Sequence, residues 1–233
     1  MYEEKIIPPK KAMPQAQDGT LRKFALRVPE VIYQCSGIIV FGKRIKSLVF
    51  STDLSIIKNV NADAIIAVYP FTPQPIITQA LLFAADIPVF AGVGGGLTKG
   101  QRVVNLAMFA EMQGATGVVL NAPTANAVVQ HVAETIDIPV VLTVARADTD
   151  FEARLQSGAN IFNVSAAAET PAVVRSIRER YPDVPIIATG GPTDESILET
   201  IQAGANAITW TPPSNGEIFR DIMAAYRDNK PHP

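Results

Sequence analysis

Four polar residues that could take part in acid–base chemistry stand at the ends of predicted strands or in the loops beyond them. Asp53 could serve as a general base, or it could cap the apolar helix that follows, and both interpretations stay open. Asn121 could orient a hydroxyl or carbonyl group, and Tyr69 could donate a proton or simply pack against its neighbours. Lys99 could neutralise a bound anion or stay in solvent. These four residues are the catalytic candidates.

Two segments near the end of the chain have the composition of an anion site. A Gly-Gly pair after the seventh predicted strand lets backbone amides approach a ligand, and "TPPSNG" precedes the last helix, whose amino end favours an anion. The same glycines could instead form a tight turn that leads into a capped helix. The ligand candidates in these two segments are Thr189, Gly190, Gly191, Thr211, Pro212, Ser214 and Asn215.

Two loops earlier in the chain add weaker ligand candidates. The "GVGGG" loop contains Gly94 and Gly95, which could cradle an anion or could only make room for neighbouring side chains. Arg146, after the fifth predicted strand, could hold a carboxylate or phosphate through two parallel hydrogen bonds.

A regular alternation of strands and helices must position these residues. We predict barrel strands at 47–52, 64–69, 88–93, 117–121, 139–144, 161–165, 185–189 and 207–211. Segments of the type "GAN" and "DIPV" recur before alternate strands, which indicates a repeated two-strand module. Parallel strands joined by helices in eight regular units predict an α/β fold, the (β/α)8 TIM barrel, with an open doubly wound sheet as the rival. In this barrel the active site lies at the carboxyl ends of the strands, where the candidates stand.

The amino-terminal part does not follow this alternation. Residues 1–20 are polar and proline-bearing and predict an extended arm, and 21–35 has helical spacing interrupted by Pro29. A hairpin turning at Gly42 and Lys43 is expected before the first barrel strand. The predicted organisation is an arm over 1–20, a single barrel domain over 21–229 and a tail over 230–233.

Composition excludes several classes of protein. The chain has 233 residues, 48% of them hydrophobic, and 20 basic against 22 acidic residues, so neither disorder nor capture of nucleic acid or an anionic membrane is expected. A single cysteine and the lack of a secretory pattern predict a cytoplasmic protein. Two histidines, one inside a helical stretch and one in the tail, predict neither a histidine-based triad nor a histidine-rich metal site.

The segment "VPIIATGGPTDESILETIQAGANAITWTPP", residues 184–213, resembles the phosphate-binding TIM barrels. These include the ribulose-phosphate-binding group, the 2-keto-3-deoxy-6-phosphogluconate aldolases and the N-acetylmannosamine-6-phosphate epimerases. The resemblance implies that the loops after the last two strands hold a phosphate. No predicted strand from the second to the eighth contains a lysine, so the Schiff-base chemistry of the aldolases is not expected. The chain also resembles bacterial barrel proteins that are loosely labelled "hydrolase".

The sequence therefore predicts an enzyme that acts on a small phosphorylated or otherwise anionic metabolite, as an isomerase, an epimerase or a lyase without a Schiff base. A sensor barrel that binds a phosphometabolite without changing it is the main alternative, and an FMN-binding barrel and a hydrolase are weaker ones. No cofactor is expected, with Mg²⁺ or FMN as the less favoured possibilities. The arm is compatible with a homo-oligomer.

Overall fold

A computed structural model describes residues 26–231 and shows a closed barrel of eight parallel strands. The barrel strands are β3 (Ser47–Phe50), β4 (Ala64–Ala67), β5 (Val89–Gly94), β6 (Gly117–Leu120), β7 (Val140–Val144), β8 (Ile161–Val164), β9 (Ile186–Thr189) and β10 (Ala207–Trp210). They pair in chain order, and β10 closes the barrel on β3. The predicted TIM barrel is confirmed, and its eight strands lie at the predicted places. The open doubly wound alternative is wrong.

A helix follows each barrel strand. The helices are α1 (Leu54–Lys58), α2 (Pro75–Ala84), α3 (Gln101–Met112), α4 (Asn126–Thr135), α5 (Phe151–Gln156), α6 (Thr170–Arg180), α7 (Asp194–Gln202) and α8 (Asn215–Arg227). A 3₁₀ helix at Ala167–Glu169 precedes α6. The connections at the carboxyl ends of the strands are the loops in which the sequence places the candidate site residues.

The recurring "GAN" segments have a structural role at the amino ends of the strands. The Asn206 carboxamide oxygen accepts a hydrogen bond from the Ile186 amide, and Asn160 does the same for Val140. Asp63 in the related segment "NADAI", which precedes β4, accepts hydrogen bonds from the amides of Lys46 and Ser47. Each side chain therefore ties the start of one strand to its neighbour, at the end of the barrel opposite the candidate site.

A short antiparallel hairpin fills the amino end of the barrel. Its strands are β1 (Ile38–Val40) and β2 (Lys43–Ile45), and Phe41 and Gly42 form the turn with positive φ angles of 46° and 78°. Inward residues of the hairpin pack in one cluster with inward residues of the barrel strands. The predicted hairpin is confirmed, one residue away from the expected turn.

The helix predicted over 21–35 is wrong within the described part of the chain. Leu26 forms a parallel bridge with Val60, and only a five-residue 3₁₀ helix follows, at Glu30–Gln34. Pro29 stands directly before this short helix with an extended ψ of 132°, and the Val28 amide donates to the Asn61 side chain. Proline and the pairing of Leu26 thus override the helical spacing. The arm predicted at 1–20, residues 21–25 and the last two residues of the tail lie outside the described residues.

Candidate functional site

The carboxyl end of the barrel opens into a cavity of about 650 Å³. Its lining comes from the loops after β3, β4, β6 and β10, and it includes seven of the predicted site residues. These are Asp53, Tyr69, Asn121, Thr211, Pro212, Ser214 and Asn215. A smaller adjoining cavity of about 210 Å³ shares Tyr69 and Asn121 and also contacts Gly94. We call these two spaces together the mouth cavity.

Asp53 caps α1 and also contacts α8. Its Oδ1 accepts hydrogen bonds from the amides of Ser55 and Ile56 and from the Ser55 hydroxyl, while Oδ2 accepts one from Asn215 Nδ2 at 2.5 Å. The bond from the Ser55 hydroxyl and these further bonds lower the pKa of Asp53 below its usual range, so the carboxylate is ionised at neutral pH. Of the two interpretations that the sequence left open, the structure shows the cap directly.

The amino end of α8 borders the same cavity. Ser214 and Glu217 form a capping box, in which the Ser214 hydroxyl and amide both bond to the Glu217 carboxylate. The Asn215 carboxamide nitrogen donates hydrogen bonds to Asp53 Oδ2 and to the Ser55 hydroxyl. Among the described residues nothing accepts a hydrogen bond from the amides of Asn215 or Gly216. The first two amides of the helix are therefore open to a ligand.

Tyr69 and Asn121 stand in both parts of the mouth cavity. The Tyr69 hydroxyl accepts a hydrogen bond from the Gln74 amide at 2.8 Å and still has its own proton to donate. The Asn121 carboxamide has no hydrogen-bond partner among residues 26–231, although its backbone is bonded to Gly94 and Thr124. It is therefore free to bind a hydroxyl or carbonyl group, as the sequence predicts.

The glycine loop after β5 is shaped by close packing. A Cβ on Gly95 would lie 1.9 Å from the Thr124 hydroxyl, and both Gly94 and Gly95 have positive φ angles, of 134° and 104°. Lys99 is exposed, and its side chain does not line the mouth cavity. The structure does not bring Lys99 to the other candidates.

The structure separates the two halves of the predicted phosphate site. Thr189, Gly190 and Gly191 line a different cavity, of about 600 Å³, between α6 and α7. A Cβ on Gly190 would meet Ile197 and Ile208 at 2.7 and 2.8 Å, and Gly191 has a φ of 81°. Packing and backbone conformation thus explain both glycines.

Charge does not distinguish this second cavity from the mouth cavity. Glu199 lines the second cavity and Asp53 lines the mouth cavity, and neither cavity has a lysine or arginine among its lining residues. The turn interpretation of the Gly-Gly pair therefore depends on the packing around Gly190 and on the positive φ of Gly191.

Arg146 lies apart from the mouth cavity. It is exposed and forms a two-bond ion pair with Asp148, at 2.8 and 2.6 Å. It lines a third cavity, of about 590 Å³, together with Arg154, whose guanidinium bonds to the backbone carbonyls of Ala122 and Thr124. The structure thus places Arg146 after β7 as predicted, but its charge is already paired.

Three polar residues inside the barrel escaped the sequence analysis. Thr143, Asn163 and Thr209 each stand two residues after an inward apolar residue of β7, β8 or β10 and therefore face the barrel interior as well. The Asn163 side-chain nitrogen donates to the Thr143 hydroxyl at 3.4 Å, whereas Asn163 Oδ1 and Thr209 Oγ1 are buried without a hydrogen-bond partner among residues 26–231. The signal in the sequence was a single polar residue within each buried strand, at "VVLTV", "IFNV" and "AITW".

No family model and no curated protein sequence matches the chain. Several solved structures do share its fold. A phosphoenolpyruvate phosphomutase from Streptomyces platensis subsp. rosaceus is 13% identical, with a TM-score of 0.60 over 85% of this chain and 86% of that one. Phosphonopyruvate hydrolase in complex with oxalate and Mg²⁺ is 12% identical, with a TM-score of 0.59 over 80% and 84%.

A third structure, the 4-hydroxy-tetrahydrodipicolinate synthase from Methylacidiphilum fumariolicum SolV, is 18% identical, with a TM-score of 0.56 over 81% of this chain and 75% of that chain. At these identities the likeness shows the fold alone. None of these three structures belongs to the families that residues 184–213 resemble. The barrel that the resemblance implies is confirmed, while those particular families are not.

The comparisons correct the expectation that no cofactor is involved. Phosphonopyruvate hydrolase was solved with Mg²⁺, which contradicts that prediction. The side chains of this mouth cavity do not form a magnesium site by themselves, however. Among residues 26–231 no three acidic, histidine or cysteine side chains gather, and Asp53, the one carboxylate that lines the mouth cavity, already accepts hydrogen bonds on both oxygens.

Within residues 26–231, none of the helices combines the length and the apolar character needed to cross a membrane.

Proposed function

We propose that this barrel is an enzyme that acts on a small phosphorylated metabolite in the mouth cavity by proton transfer, as an isomerase, an epimerase or a lyase without a Schiff base. The observation that carries the proposal is the mouth cavity itself, because it gathers Asp53, Tyr69, Asn121 and Asn215 from four separate loops. Convergent polar groups in the largest cavity at the carboxyl end of a barrel are typical of an active site.

The amino end of α8 supports an anionic substrate. The open amides of Asn215 and Gly216 and the positive end of the helix dipole favour a phosphate group. Of the two predicted halves of the phosphate site we therefore retain the loop from Thr211 to Asn215, which lines the mouth cavity. Two of the solved structures with this fold carry the names of enzymes of phosphoenolpyruvate and phosphonopyruvate, which is consistent with such a ligand.

The polar groups of the mouth cavity have distinct roles in this proposal. Asp53 is ionised at neutral pH and accepts a proton from a carbon atom next to a carbonyl group. The Tyr69 hydroxyl can donate its proton to the oxygen of that carbonyl group, and the Asn121 carboxamide orients it. A lowered pKa makes Asp53 a weak base, so the substrate proton must be acidified by the neighbouring carbonyl group.

Hydrogen–deuterium exchange into the substrate tests this proposal. The protein is incubated in D₂O with a panel of sugar and keto-acid phosphates, with and without Mg²⁺, and NMR follows the loss of carbon-bound hydrogen. Asp53→Asn should lower the exchange rate by about 10²–10⁴-fold, because removing a general base costs this much. Asparagine caps a helix as well as aspartate does, so α1 should remain folded. The matched control is Asp148→Asn, an exposed carboxylate outside the mouth cavity, which should keep the wild-type rate.

Exchange that survives Asp53→Asn would show that Asp53 is only a cap. One observation favours the second candidate function, a sensor barrel without catalysis: both oxygens of Asp53 are occupied by protein donors. A sensor would bind a phosphate from the panel and leave all of its carbon-bound hydrogens in place.

A further inference from the structure

The smaller part of the mouth cavity has an uncharged polar lining. Its volume is about 210 Å³, and its lining residues come mainly from the loops after β4, β5 and β6. No lysine, arginine, histidine, aspartate or glutamate is among them. The polar side chains that line it are Tyr69, Thr72, Thr98 and Asn121. A hydroxyl or carbonyl group therefore finds donors and acceptors in this space, whereas an ionic group finds no opposite charge.

Thr98 contributes a buried hydroxyl that no other described residue bonds. The residue is 4% exposed, and its Oγ1 has no hydrogen-bond partner among residues 26–231. Thr98 does not cap α3, because Gly100 precedes that helix and no side chain caps it. An unpaired buried hydroxyl lowers the stability of the folded protein. Because Thr98 lines the mouth cavity, a bound ligand can supply the missing partner.

The glycine loop after β5 holds Thr98 at this cavity. The Gly95 amide donates a hydrogen bond to the Thr98 carbonyl at 2.9 Å, which closes the loop on itself. A Cβ on Gly94 would lie 3.1 Å from Thr98 Cβ, and a Cβ on Gly96 would lie 3.8 Å from Asn121 Nδ2. The missing side chains of these glycines thus let Thr98 and Asn121 line one space.

We propose that Thr98 and Asn121 form a subsite for an uncharged hydroxyl group of the substrate, which is then a phosphate whose other end carries hydroxyl groups and no carboxylate. The buried Thr98 hydroxyl reaches the ligand by rotation about the Cα–Cβ bond, from one staggered position to another. It accepts a hydrogen bond from the ligand hydroxyl, whose oxygen accepts one from the Asn121 carboxamide.

A carboxylate at the same place is disfavoured by charge. It would add a second negative charge to a mouth cavity that contains Asp53 and no basic lining residue. The inference rests on the proposed function for the phosphate group, whereas the subsite itself concerns only the hydroxyl group.

Two phosphates with the same six-carbon chain test the subsite in calorimetric titrations of the full chain. Glucitol 6-phosphate ends in a hydroxymethyl group, and 6-phosphogluconate ends in a carboxylate. We expect glucitol 6-phosphate to bind the wild type at least about tenfold more tightly, because the carboxylate would stay unpaired in the subsite. Equal affinities, or tighter binding of 6-phosphogluconate, would overturn the proposal.

Variants of Thr98 test the role of its hydroxyl. Thr98→Val should weaken the binding of glucitol 6-phosphate by about three- to tenfold, as expected for one lost hydrogen bond, whereas Thr98→Ser should retain most of it. Thr98→Val should not lower the Tm, because the hydroxyl has no partner within residues 26–231. The matched control is Thr200→Val, a buried threonine outside the mouth cavity, which should leave the affinity unchanged.

Wild-type affinity in Thr98→Val would overturn the subsite, and so would a lower Tm, because the hydroxyl would then serve the fold. Inorganic phosphate and unphosphorylated glucitol, followed by NMR at high concentration, separate this failure from that of the proposed function. If glucitol binds through Thr98 and inorganic phosphate does not bind, the subsite stands and the proposed phosphate site is wrong. If inorganic phosphate binds and neither glucitol nor its phosphate gains from Thr98, only the subsite is wrong. Binding of none of these probes would overturn both.

Discussion

Two buried polar atoms in the barrel interior have no hydrogen-bond partner among the described residues. They are Asn163 Oδ1 and Thr209 Oγ1, which lie on inward positions of β8 and β10. An unpaired buried group costs about 1–3 kcal/mol of stability. Neither residue lines the mouth cavity, so the two atoms lower the stability of the barrel without facing the candidate site.

Thr209→Val should remove this cost at one of the two positions. Valine has nearly the same shape and removes the unpaired hydroxyl, so the free energy of unfolding should rise by about 1 kcal/mol in denaturant titrations. Thr200→Val is the control, because the buried Thr200 hydroxyl donates to the Ser196 carbonyl and its loss should destabilise the protein by about 1 kcal/mol. A destabilised Thr209→Val protein would mean that the hydroxyl has a partner, such as an interior water.

Residue types alone did not distinguish the site from its surroundings. Asp53, Tyr69 and Asn121 were found because they follow barrel strands, and the structure brings them into one cavity. Lys99 was a candidate for neutralising an anion and is exposed in the structure, and Arg146 is paired with Asp148. Pairing and exposure depend on the folded neighbours, so the sequence could not give them. The sequence could have predicted that Asn163 faces the barrel interior, because it stands two residues after inward-facing Ile161 on the same strand.

At the scale of one element, the β9–α7 corner shows how a motif can have a purely structural origin. Gly190 faces Ile197 of α7 and Ile208 of β10 so closely that no Cβ fits, and Gly191 needs a positive φ. The capping box of Thr193 and Ser196 then starts α7. The same local sequence would suit a phosphate loop, but the packing around Gly190 and the φ of Gly191 explain both glycines without a ligand.

Gly190→Ala should therefore destabilise the barrel without changing its affinity for a ligand. We expect a loss of about 1–3 kcal/mol in the free energy of unfolding from overpacking. Gly216→Ala is the matched control, since a Cβ there meets nothing closer than 3.9 Å, and alanine in a helix should stabilise the protein by up to about 1 kcal/mol. If phosphate affinity of the folded Gly190→Ala protein fell while its stability stayed unchanged, the corner would be a ligand site after all.

At the scale of the whole molecule, the fold was readable because several independent signals agree. The strand spacing, the glycine that follows α3, α5 and α7, and the "GAN" side chains that tie neighbouring strands all repeat along the chain. The region before the barrel lacks such a repeat. There, Pro29 and the bridge between Leu26 and Val60 determine the conformation, and the helix predicted from the spacing of apolar residues alone is wrong. A barrel hosts many chemistries, so the fold restricts the reaction far less than the mouth cavity does.

Calorimetric titration of two variants tests whether the mouth cavity binds a phosphate group at the amino end of α8, as we propose. Asn215→Ala keeps the backbone amide, whereas Asn215→Pro removes it. The extended ψ of 156° at Ser214 suits a following proline, and proline is favoured at the first helical position. With a phosphorylated ligand that binds the wild type, we predict that Asn215→Ala retains binding and that Asn215→Pro weakens it by at least tenfold beyond Asn215→Ala. Equal affinities for the two variants would contradict the account, because the phosphate would then lie elsewhere on the barrel.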